Sequence, residues 1–339
     1  MATSSIAWLA NPDGTRGQTW NPVTGCDWAS RGCDNCYALR QAKRLKGMEQ
    51  SLITLGRLIP AHAKYQTDGD PRTSGPGFGV AMHPHALTAP FGWPTKPQRV
   101  FVNSMSDLFH PQVSDEFIAQ VFAVMALTPQ HTYKILTKRP QRMPALLADV
   151  AWQELVNHEL VALSVELRVP LAADLPNIVD APLPNVWIGV SVEDQHQADR
   201  RVPDLLRTRA RVLWVSAEPL LARLDLGLVD QDGLDIDALT GSTWQQGVGL
   251  TPDAVGSLDW VVVGGESGPG ARPMHSAWAR QLRDDCAKAG VPFFFKQLGS
   301  LLASELGFRG AGEEWHQLPD DLRIHQYPPA HAAARTSTR

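Results

Sequence analysis

Six short apolar runs recur along this chain, each closed by a polar cluster and followed by a stretch with helical spacing. They limit the possible folds more than any other feature. The runs are "RVFVNSMSD" (99–107), "TYKILTKR" (132–139), "NVWIGVSVED" (185–194), "RVLWVSAEP" (211–219), "LDWVVVGGESG" (258–268) and "VPFFFKQ" (291–297). Segments so rich in Val, Ile, Phe and Trp suit strands buried on both faces, as in a parallel sheet. Between them, Ser114 is placed to cap a helix with Asp115 and Glu116 in its first turn, where carboxylates complement the helix dipole. Phe117, Val121, Val124 and Met125 then follow at the spacing of one buried stripe. Pro140 suits a first helical position, Ser276 a cap, and Gly290 a stop. Strand–helix alternation of this kind is the α/β pattern. With "FGVAMHPHAL" (78–87) as a weaker strand, it predicts a complete or partial TIM-type (β/α) barrel. One domain is expected over residues 1–325, with Gly/Asp-rich residues 227–257 as an inserted surface loop and 326–339 as a flexible tail.

Three of the four cysteines fall within eleven positions, in "WNPVTGCDWASRGCDNCYA" (20–38). Cys26, Cys33 and Cys36 are spaced C-x6-C-x2-C, and a C-x-x-C pair is close enough to bind one metal or one cluster. Gly25 and Gly32 each precede a cysteine and allow the backbone to fold round such a group. A structural zinc site closes its shell with four ligands. Here the nearest histidine is His62, and Cys286 is far along the chain. A [4Fe–4S] cluster held by three cysteines would leave one iron open to a ligand, whereas a Cys3His zinc site would recruit a distant histidine. Spacing leaves both open. Cys286 shares a helical face with Leu282 and Ala289 and reads as a buried, inert thiol. Trp20 and Trp28 flank the cysteines as candidate shields from water.

The loop resembles the cluster-binding loop of radical S-adenosylmethionine enzymes, in which three cysteines follow the first barrel strand. More closely, "TWNPVTGCDWASRGCDNCYA", "FVNSMSDLFH", "ILTKRP", "WVVVGGESGPGARPMH" and "VPFFFKQLG" resemble, in consistent order from about residue 18 to residue 300, a phage-type protein family with radical-SAM-like cysteines. That family occurs in phages and bacteria, often beside a three-Cys-motif partner protein. The resemblance implies a radical-SAM-like barrel carrying a [4Fe–4S] cluster and S-adenosylmethionine, with an external electron donor. Two features depart from the usual radical-enzyme pattern. The first cysteine gap is six residues rather than three, and the aromatic Tyr37 follows the last cysteine instead of preceding it. The "GGE" at 264–266 is similar to a motif that holds the methionine amine in those enzymes, but it follows a late strand here.

Barrel enzymes place chemistry at the C-terminal ends of their strands. Those ends carry Asn103, Ser104, Ser106 and Asp107, then Thr137, Lys138 and Arg139, then Ser191 and Glu193. Ser216 and Glu218 come next, then Gly264, Gly265, Glu266 and Ser267, and last Lys296 and Gln297. So many polar groups behind buried strands are costly unless they face a wet or ligand-filled mouth. The candidate cofactor-binding residues are therefore Asn103, Ser104, Asp107, Glu193, Glu218, Gly264, Gly265, Glu266 and Lys296, and the candidate catalytic residues are Lys138 and Glu218. Carboxylates at 193, 218 and 266 suit an ammonium and ribose hydroxyls, while Lys138, Arg139 and Lys296 suit a carboxylate or phosphate.

The chain's net charge of −4 argues against a uniformly basic nucleic-acid binder, so such a contact needs a local patch. The trio Lys138, Arg139 and Arg142 is the patch that sequence offers, and it makes a nucleotide or nucleic acid the expected substrate. No run of eighteen apolar residues exists, and "MATSSIAWLANPDGTRG" lacks the pattern of a signal peptide. Sparse cysteines fit a reducing cytoplasm. The expected protein is a cytoplasmic iron–sulfur enzyme without membrane contact. The rival expectations are a zinc-stabilised barrel that binds or hydrolyses nucleic acid, and a non-catalytic partner protein.

Overall fold

The computed structural model describes residues 3–171, 177–231, 233–252 and 255–329. It divides into two compact units, Met1–Val186 and Trp187–Arg339, where the sequence predicts a single domain. The fold is mixed α/β. Among the described residues seven strands pair in parallel, three in the first unit and four in the second.

In chain order the first unit contains β1 (Gln18–Trp20), β2 (Val23–Thr24), α1 (Tyr37–Thr54), β3 (Ala81–Met82), β4 (Arg99–Val102), α2 (Asp115–Leu127), β5 (Thr132–Thr137), α3 (Met143–Ala148) and α4 (Val150–Leu167). β1, β4 and β5 are neighbours in that order. The weaker strand of the sequence reading is the short β3, which pairs antiparallel with β2 and stands outside the parallel set. Ser114 caps α2 as expected, its hydroxyl accepting from the Phe117 amide at 3.2 Å. One stripe of α2 was expected to be buried, yet nearly the whole helix is. The reason is a second covering layer: α4 packs on α2, with Phe122 and Trp152 edge-to-face at 5.2 Å. Pro140 opens a short 3₁₀ turn that leads into α3.

His83 follows β3 and is only 5% exposed. Thr24 Oγ1 donates to the Lys64 carbonyl at 2.8 Å and so accepts from His83 Nε2, 2.7 Å away. Burial first, then the positive fields of Lys64 and His85, push the imidazole down to about 4. An unfolded histidine titrates near 6.5, so between those values the unfolded chain binds a proton that the folded chain excludes. Stability should therefore fall as pH drops from about 6.5 to about 4, by up to about 3 kcal/mol from this residue. Urea midpoints measured between pH 7 and 4 should fall less steeply in His83→Gln. Equal slopes would contradict the assignment.

The second unit contains β6 (Val186–Ser191), α5 (Gln195–Leu206), β7 (Val212–Ala217), β8 (Val229–Gln231), β9 (Leu234–Asp237), β10 (Ser242–Gln245), β11 (Gly249–Thr251), β12 (Trp260–Gly264), α6 (Ser276–Ala289), β13 (Phe293–Gln297) and α7 (Ser300–Glu305). β6, β7, β12 and β13 are parallel neighbours in sequence order. Neither unit reverses its strand order, as a doubly wound sheet does at its switch point. The stretch 227–257 carries an antiparallel four-stranded sheet, β11-β10-β9-β8, rather than only loop. Its apolar content is thin, but Val229, Ile236 and Ala238 are buried. The Asp237 carboxylate ties the following turn through the amides of Leu239 and Thr240. Ser276 is the first residue of α6 rather than its cap, which is His275, while Gly290 ends the helix in the left-handed region at φ 71°. The expected tail is anchored at its start. The Gln326 amide donates to Phe293 O at 3.0 Å, and Tyr327 stacks on Trp260 at 5.5 Å. Residues 330–339 of that tail lie outside the described residues.

Candidate functional site

The cysteine loop leaves β1 and β2 at the side of the first unit where β4 and β5 also end. Its entry is fixed at Gly25, whose φ is 84°. The Gly25 amide donates to Met105 O at 3.0 Å and the Cys26 amide to Phe78 O at 3.3 Å. A Cβ at Gly25 would lie 2.0 Å from Gly79 O, so only glycine fits both the backbone conformation and the space. Gly25→Ala should therefore cost about 2–4 kcal/mol in chemical denaturation, combining left-handed strain with overlap. Gly47→Ala, at an exposed α1 position where no described residue comes within 4 Å of the new methyl, should instead stabilise by about 0.5–1 kcal/mol. If both changes had the same sign, this reading of the loop entry would fail.

Cys26, Cys33 and Cys36 are all free thiols and partly exposed, whereas Cys286 is fully buried. A 3₁₀ turn over Arg31–Cys33 and a bond from the Cys36 amide to Cys33 O at 3.1 Å bring the second and third cysteines onto consecutive turns. Arg139, at the end of β5, holds the first. Its Nη1 donates to Cys26 Sγ at 3.2 Å and its Nη2 to Asp27 O at 2.7 Å. Burial, then the Asp107 carboxylate, push the Cys26 thiol up to about 12, and the positive charges of Arg139 and Lys138 oppose that rise. Among the described residues, no three His, Cys, Asp or Glu side chains are grouped as a single bound ion requires.

Asp107 organises the strand ends of this unit. It accepts from Thr137 Oγ1 at 2.7 Å, the Phe109 amide at 3.0 Å and the Lys138 amide at 3.0 Å, with Arg139 Nη1 3.8 Å away. Ser104 shares a 3.2 Å hydrogen bond with the Asn21 side chain, and Ser106 donates to Val23 O at 2.8 Å. Asn103 is a left-handed residue at φ 60°, 2% exposed. Its Oδ1 receives the Val23 amide at 3.4 Å, but its buried Nδ2 has no hydrogen-bond partner among the described residues. The Ser30 hydroxyl, within the cysteine loop, is buried and unpartnered among the described residues as well. Sequence reasoning missed the pair formed by His110 and Asp27, 3.3 Å apart, with Thr73 and Ser74 also donating to Asp27. The "SDLFH" run placed His110 three residues beyond Asp107, which was the available signal.

Of the basic trio, Arg139 is committed to the loop and Arg142 to Asp115 and Val113 O. Neither is presented as a free phosphate-binding group. Trp20 is a core residue, 2% exposed and bonded to Ala86 O, while Trp28 is 50% exposed.

The second unit gathers a separate set. Lys296 pairs with Glu218, Gln297 Nε2 donates to Glu218 Oε1 at 3.1 Å, and Ser191 Oγ donates to Glu218 O at 3.1 Å. Gly264 lies against the Glu218, Lys296 and Gln297 side chains. At Gly265 a Cβ would come within 2.2 Å of Leu298 O, so this glycine permits a close backbone approach. Glu193 and Glu266 are held differently. Glu193 is fully buried and bonded to Arg201 at 3.0 Å. Glu266 takes three bonds from Arg272, through its amide, Nε and Nη2.

No curated protein and no solved structure matches this chain. A family model described as "Protein of unknown function (DUF5131)" matches residues 3–328, nearly the full length, and the chain belongs to that family.

Proposed function

We propose that this chain is a radical-SAM-type enzyme of the kind its cysteines resemble, with Cys26, Cys33 and Cys36 holding a [4Fe–4S] cluster. One observation carries the reading. Three free thiols share a loop with two buried polar groups that lack partners among the described residues, Ser30 Oγ within it and Asn103 Nδ2 beside its entry. Buried donors without partners are rare and point to something that completes them. When bound and reduced, such a cluster supplies the electron for reductive cleavage of S-adenosylmethionine. The protein's own part is to fix the loop through Gly25 and Arg139, and to set Lys138 and Asp107 beside Cys26. In the second unit the Glu218–Lys296–Gln297 group carries both signs of charge and is a candidate for holding a charged ligand of its own. An external electron donor is required, and a reducing cytoplasm would keep the thiols available. Association with phages and with a three-Cys-motif partner belongs to the same proposal. Among the described residues no helix is long and apolar enough to cross a membrane.

The test is incubation of reduced, cluster-loaded protein with S-adenosylmethionine. Slow formation of 5′-deoxyadenosine is expected. Loaded protein that neither binds nor cleaves the cofactor would overturn the proposal.

A further inference from the structure

We infer that Asp27 and His110 are positioning residues for Cys26, holding the first cysteine of the loop in place before any metal is bound. Asp27 directly follows Cys26, and each of its three oxygens is engaged by another part of the chain. Oδ1 accepts from Thr73 Oγ1 at 3.1 Å and from Ser74 Oγ at 3.0 Å. Oδ2 lies 3.3 Å from His110 Nε2, and the carbonyl accepts from Arg139 Nη2 at 2.7 Å. These partners come from the loop after α1, the segment after β4 and the end of β5. Three stretches far apart in sequence thus converge on the residue beside one thiol. Cys33 and Cys36, by contrast, are brought together by the local turn of residues 31–36.

The direction of the histidine bond is set by a second contact. The Gln112 amide donates to His110 Nδ1 at 3.2 Å, so that nitrogen carries no proton and the ring's proton is on Nε2, facing Asp27. The His110 side chain is 4% exposed, and its backbone is fixed by Asp107, whose carbonyl accepts the His110 amide at 3.1 Å. A bond from such a ring to a carboxylate is charge-assisted and stronger than a neutral one. The line Asp107–His110–Asp27–Cys26 therefore carries the order of the strand ends out to the thiol. Hydrogen bonds behind a metal ligand orient it, and losing one costs about 10–100-fold in metal affinity.

The role toward a cluster rests on the reading proposed above, but the clasp itself is measured on the metal-free full-length chain. Limited alkylation with iodoacetamide, followed by mass spectrometry, gives the rate at each cysteine. Tryptic cleavage at Arg31 separates Cys26 from Cys33 and Cys36. In His110→Leu, Cys26 should react about tenfold faster, the loss of one charge-assisted bond, with the rates at Cys33 and Cys36 unchanged. Asp27→Asn, at a partly exposed position, should act in the same direction, because its single side-chain oxygen cannot serve His110 and the two hydroxyls together. The double variant should add little to either change, since the two residues share one interaction. His110→Gln, whose amide nitrogen can donate from nearly the same place, should restore the slow rate. In reconstituted protein, His110→Leu should also release iron to a chelator about tenfold faster. Equal acceleration at all three cysteines would overturn the inference, as would a wild-type Cys26 rate in either single variant, no rescue by glutamine, or unchanged iron release. A wild-type chain that takes up no iron would sink the cluster reading alone, because the alkylation rates decide the clasp.

Discussion

Replacing any one of Cys26, Cys33 or Cys36 by alanine should abolish the brown chromophore of anaerobically reconstituted protein, whereas Cys286→Ala should leave it intact. The contrast follows from position. The three loop thiols fall within eleven positions of one loop and are partly exposed, while Cys286 is fully buried on α6. A structural thiol buried in this way is inert. With three thiolates already one short of a closed shell, removing another should leave too few to hold four irons. The visible absorbance of thiolate-bound iron, together with iron content, gives the readout. Equal loss in Cys286→Ala, or retention in any of the loop variants, would contradict the assignment of ligands.

The second large effect is on stability. Arg201 Nη1 donates to Ser191 O at 2.6 Å and to Glu193 at 3.0 Å, and the two side chains are 3% and 0% exposed. Arg201→Leu would strand a buried carboxylate and should cost about 3–5 kcal/mol, a large part of the total stability of an ordinary domain. Removing both charges in Arg201→Leu/Glu193→Leu should recover most of that loss, because the desolvation cost of the ions disappears with them. Urea denaturation of the two variants gives the comparison. If the double variant were as unstable as the single one, the pair would have another role. Glu193 was a candidate for the cofactor's ammonium on position alone. With its carboxylate held in the core by Arg201, Glu193→Gln is expected to lower the denaturation midpoint while leaving ligand binding nearly unchanged.

Much of the parallel α/β organisation was legible because its signal is local. Runs such as "DWVVVGG" and "PFFFKQ" bury both strand faces and so carry no alternation to misread, and Ser114 and Gly290 mark helix ends through their own backbone chemistry. The four strands after Leu228 were not legible, because their buried positions, Val229, Ile236 and Ala238, are scattered among Gly and Asp and gain their burial only from pairing. Lys134 shows the same limit. In "TYKILTK" it reads as an ordinary polar residue, yet it is fully buried and its Nζ donates to Trp8 O at 2.6 Å, a contact spanning 126 positions. Residue type and spacing picked out the cysteines. They did not reveal that Arg139 is turned to Cys26 or that Glu266 is clasped by Arg272, since a side chain's partner depends on the tertiary fold. Strand-end carboxylates look alike in sequence, and only their neighbours separate the buried pair at Glu193 from the partly exposed group at Glu218.

The most direct test of the three-cysteine centre is elemental analysis of the anaerobically purified and reconstituted full-length chain. About four iron and four acid-labile sulfide per chain are expected, with loss of both in Cys33→Ala. Stoichiometric zinc without iron or sulfide would contradict the iron–sulfur reading and make the loop a structural metal site.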